Sequence, residues 1–334
     1  MSYWYSVSAP QDDIAVSTRI RLARNISGIP FPSKMKPEQF KAVNEAVKKA
    51  IIESNTPYAK SLKYIAMEYI PEIERFAMVE RHIISHSFAS NYQNRAIIIS
   101  DDESICIMLG EEDHIRVQVL LAGLRFEKAY EIADHIDTLL CSGLDLAFDE
   151  RIGFLTECPT NLGTGLRSSV MLHLPLIESH GEMSGLADSI NKIGLTVRGM
   201  YGEGTKALAS LYQISNQITL GISEKNAIDN LKIIATQLIQ KEQGYRAQLN
   251  RIKLEDRCMR SLGILKNARI LTSNEMMSRL SDIKLGATQG VVDCNTSPIK
   301  LIIEGQPNMI MRKLGQISPE ERDIERAKMI RNSL

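Results

Sequence analysis

The chain has 334 residues, 44% of them hydrophobic, enough for one large core and a smaller second one, since single cores stop growing near ~250 to 300 residues. Forty basic residues balance forty acidic ones, so no overall field draws the protein to nucleic acid or an anionic membrane, and any anion site has to be built locally. The opening "MSYWYSVSAPQDD" is not a secretion signal and no segment approaches the ~18 apolar residues of a membrane span; Cys106, Cys141, Cys158, Cys258 and Cys294 are scattered with no CxxC, so a cytoplasmic protein without a disulfide framework or thiolate zinc site is expected.

In "IAVSTRIRL" the side chains Ile14, Val16, Ile20 and Leu22 recur with period two, which predicts a half-buried strand whose other face carries Arg19 and Arg21. "KPEQFKAVNEAVKKAII" places Phe40, Val43, Val47 and Ile51 at helical spacing behind Pro37 and reads as an amphipathic helix. "RAIIIS", "SICIMLG" and "HIRVQVLLAG" are short β-rich runs, followed by the helical pattern of "FEKAYEIADHIDTLL". If the third run extends back to residue 112, Glu112, His114 and Arg116 share one face, opposite Ile115 and Val117. Strands are expected at 151–156, 168–174 and 193–199, with a strand pair in "ASLYQISNQITLG" and then a long helix capped by Ser223. Near residue 244 the composition shifts to Arg, Leu, Met and Lys at helical spacing, which divides the chain into residues 1–244 and a mainly helical 245–334.

Four clusters mix arginine with an acid, a glycine or a thiol: "STRIRLARN", "GEEDHIR", "LTECPTNLGTGLRSSV" and "VRGMYGEGT". Singly, each reads as a solvated ion pair on a strand or loop. Together they put Arg19, Arg21, Arg116, Arg167 and Arg198 on strands or in glycine loops beside them, a placement suited to a polyphosphate, whose oxygens take planar, bidentate hydrogen bonds from guanidinium groups. Walker and protein-kinase motifs are missing, and "GEGTKA" (202–207) matches only a relaxed dinucleotide pattern, with β-like sequence close behind it.

Taken in order, "STRIRLARNISGIPF", "GEEDHIR", "CPTNLGTGLRSSV", "VRGMYGEGT" and "YQISNQITLGISE" resemble the successive motifs of the phosphagen (guanidino) kinase catalytic domain, over about residues 14–244. The resemblance implies an α+β fold with a mainly antiparallel sheet flanked by helices. It implies an enzyme that moves the γ-phosphoryl group of ATP, carried with Mg2+, to a guanidinium nitrogen. By motif position Glu112 and Glu203 would be the substrate-orienting glutamates and Cys158 the thiolate that holds and polarises the substrate nitrogen. The nucleotide would meet Thr18, Arg19, Ile20, Arg21 and Leu22; His82; Arg116; Arg167, Ser168, Ser169, Val170 and Met171; and Arg198, Gly199, Met200, Tyr201, Gly202 and Glu203. No direct protein ligand to the metal is implied, although Glu111 is placed to reach Mg2+ through water, with Asp113 also near it. Met171 stands where animal members have histidine, so the nucleobase pocket is expected to differ in detail.

Small-substrate members carry a helical domain before the "STR" strand, which here begins at residue 17, and lack the helical tail after 244. This arrangement is similar to that of the bacterial protein arginine kinases, whose acceptors are arginine side chains in proteins. Within "SPEERDIERAKMIR", Arg322, Asp323, Arg326 and Ala327 match that branch's RDxxRA phosphoarginine-binding motif. A capping box at Ser318 and Glu321 would set Arg322 and Arg326 one turn apart on one helical face, able to clamp a phosphorylated guanidinium and tune activity. The same resemblance implies a homodimer, substrate proteins with exposed arginines, a zinc-binding activator, a Clp unfoldase and a heat-shock repressor in protein quality control and stress response, with no membrane or direct nucleic-acid contact. The alternatives are a kinase for a small guanidino metabolite and a non-catalytic phosphoarginine-binding adaptor.

Overall fold

The computed structural model describes residues 3–7, 12–54, 56, 59–200 and 208–334. In chain order the first part of the chain contains β1 (Ala15–Arg24), α1 (Pro37–Ile52), β2 (Leu62–Ala66), α2 (Glu72–Glu80), α3 (His86–Ser90), β3 (Ala96–Ser100), β4 (Ile105–Leu109), β5 (Ile115–Ala122) and α4 (Phe126–Gly143). There follow β6 (Phe148–Asp149), β7 (Gly153–Phe154), β8 (Leu166–His173), α5 (Pro175–Ser179), α6 (Met183–Lys192), β9 (Leu195–Gly199), β10 (Leu211–Asn216) and α7 (Glu224–Ala247). The tail is helical: α8 (Arg251–Asn267), α9 (Ser273–Thr288), α10 (Pro298–Glu304), α11 (Pro307–Leu314) and α12 (Pro319–Ser333).

Eight strands form one sheet in the order β2-β3-β4-β5-β1-β8-β10-β9, every neighbouring pair antiparallel. This is the α+β architecture expected of a guanidino kinase. One face packs on α1, α4 and α7 through Val43, Val47, Ile51, Phe126, Ile136, Leu140, Leu231 and Leu238, set against Ile20, Leu22, Val117 and Val170 of the strands. The other face carries Met108, Leu120, Met171 and Leu211 and is covered in part by the tail, including Met276, Ile283, Ile299 and Ile303. Each helix buries one stripe because its apolar residues recur every three to four positions.

Four details differ from the expectations. The pairing of β1 with β8 shifts register between Ala15 and Ser17, so Val16 turns away from Ile14, Ile20 and Leu22 and joins the opposite core; a bulge interrupts the alternation at the residue it leaves unpaired. The strand expected at 151–156 is the two-residue hairpin β6–β7, because Gly153 at φ +81° turns the chain there. The strand pair expected in "ASLYQISNQITLG" is the single strand β10. Helix α7 continues to Ala247, past the composition shift.

Candidate active site

Alternation along β1 sends Arg19 and Arg21 to the face partly covered by the tail, and register does the rest. Arg21 stands opposite Arg167 of β8, Arg19 opposite Ser169, Ala23 opposite Arg116 of β5, and Gln213 of β10 opposite Arg198 of β9. Five strands adjacent in the sheet, β5-β1-β8-β10-β9, therefore bring all five predicted arginines to one region. Arg19 donates to Gln213 Oε1 at 2.6 Å and Ser169 Oγ at 3.4 Å. The Nε atoms of Arg21 and Arg167 are buried with no hydrogen-bond partner.

That cluster is electrostatically unfinished. Burial, then the charges of Arg116 and Arg167, lower the pKa of Arg19 to about 10; burial and the neighbouring guanidinium groups push Arg21 the same way, as burial, Arg198 and Arg116 do for Arg167. Cations packed together out of water are costly unless an anion joins them. Orphaned Nε donors and mutual repulsion together fit a polyphosphate.

The acids and the thiol arrive from loops. Glu111 and Glu112 lie between β4 and β5, and Arg116 Nη2 sits 2.8 Å from Glu111 and 2.9 Å from Glu112. Burial raises the Glu111 pKa, but Arg116, the Ser85 hydroxyl at 2.6 Å and the Glu112 N–H outweigh it and hold the carboxyl below its ordinary value. Glu112 is 41% exposed and accepts a long 3.4 Å bond from Asn161 Nδ2. Cys158 caps the short turn Pro159–Asn161, with its Sγ 3.0 Å from Thr160 Oγ1. Asp113 joins the two loops: it is fully buried and accepts from Asn25 Nδ2 and from the Glu157 N–H, each at 2.8 Å.

Two cavities result. One of about 690 Å³ is lined by Glu111, Glu112, Cys158, Asn161 and Arg167, the other of about 640 Å³ by Arg19, His82, Met200 and Gln213. Arg21, Arg116 and Arg198 line both. A guanidinium on the first side and a phosphate chain on the second would meet across those three arginines.

Several predicted site residues lie elsewhere. Thr18 is buried with its hydroxyl on Gly123 O and the Arg125 N–H, Ile20, Leu22 and Val170 belong to the α1/α4/α7 core, and Ser168 is fully buried; strand alternation turns these five side chains away from the arginines. His114 does not share a face with Glu112 and Arg116: it is fully buried, bonded through Nδ1 to the Ile26 N–H and through Nε2 to Pro30 O. Asp113 is taken up by the loop junction and Glu111 by Arg116 and Ser85. Met171 lines a cavity of only about 20 Å³ that Ile299 and Ile303 of α10 border and that shares Arg19, His82, Met200 and Gln213 with the nucleotide-side cavity. Gly199 ends β9, and Met200 is 4% exposed. Tyr201, Gly202 and Glu203 lie outside the described residues.

In the tail the capping box forms, but Arg326 is 1% exposed and donates to Gly305 O at 2.7 Å and Leu271 O at 2.8 Å, besides pairing with Asp323. Ala327 is buried as well. The expected solvent-facing clamp is therefore half strut, with Asp323 already engaged; Arg322 is partly exposed and its Nε has no partner. Sequence reasoning missed Gln213, Ser85 and Asn161, for polar residues on strands and loops carry no signal until pairing shows what they face.

Comparison with known proteins decides the family. The model of the ATP:guanido phosphotransferase C-terminal catalytic domain matches residues 42–245, more than half of the chain. The chain belongs to the ATP:guanido phosphotransferase family. The model of the protein-arginine kinase McsB C-terminal domain matches residues 251–334. The protein-arginine kinase of Caldanaerobacter subterraneus subsp. tengcongensis is 42% identical over 327 residues, covering 96% of this chain and 97% of that one. That of Clostridium acetobutylicum is 41% identical over 340 residues and the whole of both chains. Among solved structures, the duplicated taurocyamine kinase of Schistosoma mansoni superposes with a TM-score of 0.64 at 25% identity over 73% of this chain, which spans 35% of that one. A lombricine kinase superposes with a TM-score of 0.62 at 23% identity, covering 75% of this chain and 71% of that one, and supports the fold alone. As an ATP:guanido phosphotransferase with full-length relatives of this kind, the chain is an arginine phosphotransferase that uses ATP.

Proposed function

We propose that the protein transfers the γ-phosphoryl group of Mg2+·ATP to arginine side chains of polypeptides and that phosphoarginine binding to the tail tunes this activity. The observation that carries the reading is the pair of cavities joined at Arg21, Arg116 and Arg198, with Glu112 and Cys158 on one side and the arginine cluster on the other. The polypeptide acceptor rests on relatives named protein-arginine kinase along nearly the whole chain.

The nucleophile sets the chemistry. A guanidinium has a pKa above ~12, so stripping its proton in advance with a carboxylate of pKa ~4 would cost about 11 kcal/mol. Proton loss therefore accompanies transfer: the N–P bond forms as the bond to the β-phosphate oxygen breaks, and the N–H proton passes late to a carboxylate. Glu112 orients the acceptor in line and takes that proton, Cys158 fixes a second nitrogen, and the arginines hold the charge spread over the transferring oxygens. Glu203 is assigned the partner role on the strength of the family motif. Mg2+ would enter on the phosphates as part of the substrate and supply charge neutralisation there.

For the tail, Arg326 ties α12 to Gly305, next to the segment that borders the nucleotide-side cavity, which gives phosphoarginine held by Arg322 a mechanical route to the active site. Incubation with labelled ATP and either free arginine or a denatured protein tests the whole reading. Acid-labile, base-stable label on the protein supports it; label on the free amino acid alone identifies a small-metabolite kinase, and label on neither leaves only an adaptor.

A further inference from the structure

The nucleotide-side cavity has a wall from an unexpected source. Besides Arg19, Arg21, Arg116 and Arg198, the space of about 640 Å³ is bordered by Gln306, Pro307 and Asn308, the N-cap and first turn of α11 in the tail. These residues are far along the chain from every motif that carries the family resemblance, and they are firmly held. Glu80 at the end of α2 accepts from the Asn308 N–H at 3.0 Å, from Asn308 Nδ2 at 2.7 Å and from the Met309 N–H at 2.8 Å. Gln306 is 5% exposed and donates through Nε2 to Ile302 O at 2.8 Å. The next residue after Glu80, Arg81, is locked by Glu103 and Glu74, and its Nη1 donates to Met309 Sδ at 3.4 Å.

We infer that Gln306 and Asn308 are nucleotide-positioning residues: the tail, not the catalytic sheet alone, completes the subsite for the nucleoside end of ATP. Four guanidinium groups in this cavity claim the phosphates, so base and ribose must fill the remainder. That remainder combines apolar surface from Phe76, Ile84, Met108 and Met200 with the two amides. Engaging one N–H of each amide fixes its flip and leaves its side-chain oxygen without a protein donor among the described residues, an acceptor suited to an exocyclic amino group or a ribose hydroxyl. A smaller cavity of about 20 Å³ beside Met171 shares Arg19, His82, Met200 and Gln213 with this one and is also walled by the tail, through Ile299 and Ile303. One consequence is linkage: a nucleotide that touches both parts of the chain stabilises the docking of the tail by the same free energy with which the docked tail improves nucleotide binding.

The inference rests on the proposed ATP site, and the test separates the two. Full-length wild type, Asn308→Ala and Gln306→Met are titrated calorimetrically with ADP and with inorganic tripolyphosphate, which needs the arginines but has no nucleoside. Loss of one buried hydrogen bond predicts an ADP dissociation constant raised about 5- to 10-fold in each variant, with tripolyphosphate affinity unchanged; a lower melting temperature is expected alongside, because Asn308→Ala also loses its bond to Glu80 and Gln306→Met its bond to Ile302 O. Equal losses for both ligands, or no loss for ADP, overturn the inference and leave the arginine site standing. A wild type that binds neither ligand defeats the nucleotide reading itself, and this inference with it.

Discussion

Arg116 and Glu112 are joined by a 2.9 Å ion pair, and the same Arg116 nitrogen is 2.8 Å from Glu111. The carboxylate assigned to the incoming guanidinium is thus already holding a guanidinium, on the wall shared by both cavities. A substrate arginine has to take over that oxygen while a phosphate takes over Arg116. Exchange of partners at one point makes each substrate favour the other.

Replacing Glu112 with glutamine keeps shape and removes both the charge and the proton acceptor. Phosphotransfer should fall on the order of 10²-fold or more, while thermal unfolding moves little because the side chain is 41% exposed. Steady-state kinetics beside a melting curve checks this; wild-type turnover would remove Glu112 from the mechanism.

Cys158→Ala would delete the proposed contact to a charged substrate group. At ~1.5 to 3 kcal/mol for such a bond, activity should drop roughly 10- to 100-fold without loss of fold, since Sγ touches only Thr160 among the contacts described. A variant as active as wild type would return the thiol to the status of a packing residue.

The loop that presents Cys158 depends on backbone approach. Gly163 has φ +106°, and a Cβ built there would lie 2.4 Å from Thr219 O; at Gly165, φ +63°, it would lie 2.6 Å from Ala23 O. Gly163→Ala should cost at least ~1 to 2 kcal/mol and lower activity further by moving Cys158 and Arg167. Chemical denaturation and kinetics read the two effects separately.

Burial and the Arg19 charge push His82 down to about 3 from an ordinary value near 6.5. The folded protein keeps this ring neutral, whereas the unfolded chain takes up a proton as pH falls below ~6.5. The unfolded state then binds more protons, so stability falls with decreasing pH between about 6.5 and 3, by up to ~1.4 kcal/mol per pH unit, and is flat in this respect above 7. His173, lowered mainly by burial, acts in the same direction. Urea unfolding at pH 7 and pH 5 should show the loss, and His82→Gln should reduce it.

In the tail, Arg326→Ala removes a buried donor from Gly305 O and Leu271 O and should destabilise the protein by about 3 kcal/mol. Arg322→Ala should leave stability intact and blunt any response to added phosphoarginine. The reverse pattern in a melting assay with phosphoarginine would exchange their roles.

The sequence made much of this visible where chemistry is repeated along one strand. Period-two spacing put Arg19 and Arg21 on one face of β1 and the thiol beside a glycine loop, because alternation and turn chemistry are local. The same local view gave no sign that Arg24, three residues after Arg21 and five after Arg19, would be fully buried on Asp137 at 2.7 Å. It marked Thr18, Ile20, Leu22, Ser168 and Val170 as contacts because a motif names a segment, whereas alternation sends every second side chain to the other face. Arg326 read as half of a phosphoarginine clamp since nothing in a polar helix announces that Gly305 O and Leu271 O will meet it. Gln213, Gln306 and Asn308 were hidden because their position is a product of long-range packing alone.

The central claim is that Cys158, Glu112 and the arginine cluster form one centre for moving phosphate to an arginine on a polypeptide. Mass spectrometry of a denatured bystander protein after incubation with ATP and Mg2+, using fragmentation that preserves phosphoramidates, tests it most directly. The account predicts phosphoryl groups on arginine guanidinium nitrogens, strongly reduced when Glu112→Gln replaces wild type. Phosphate only on serine, threonine or tyrosine, or arginine labelling equal in the variant, would contradict it.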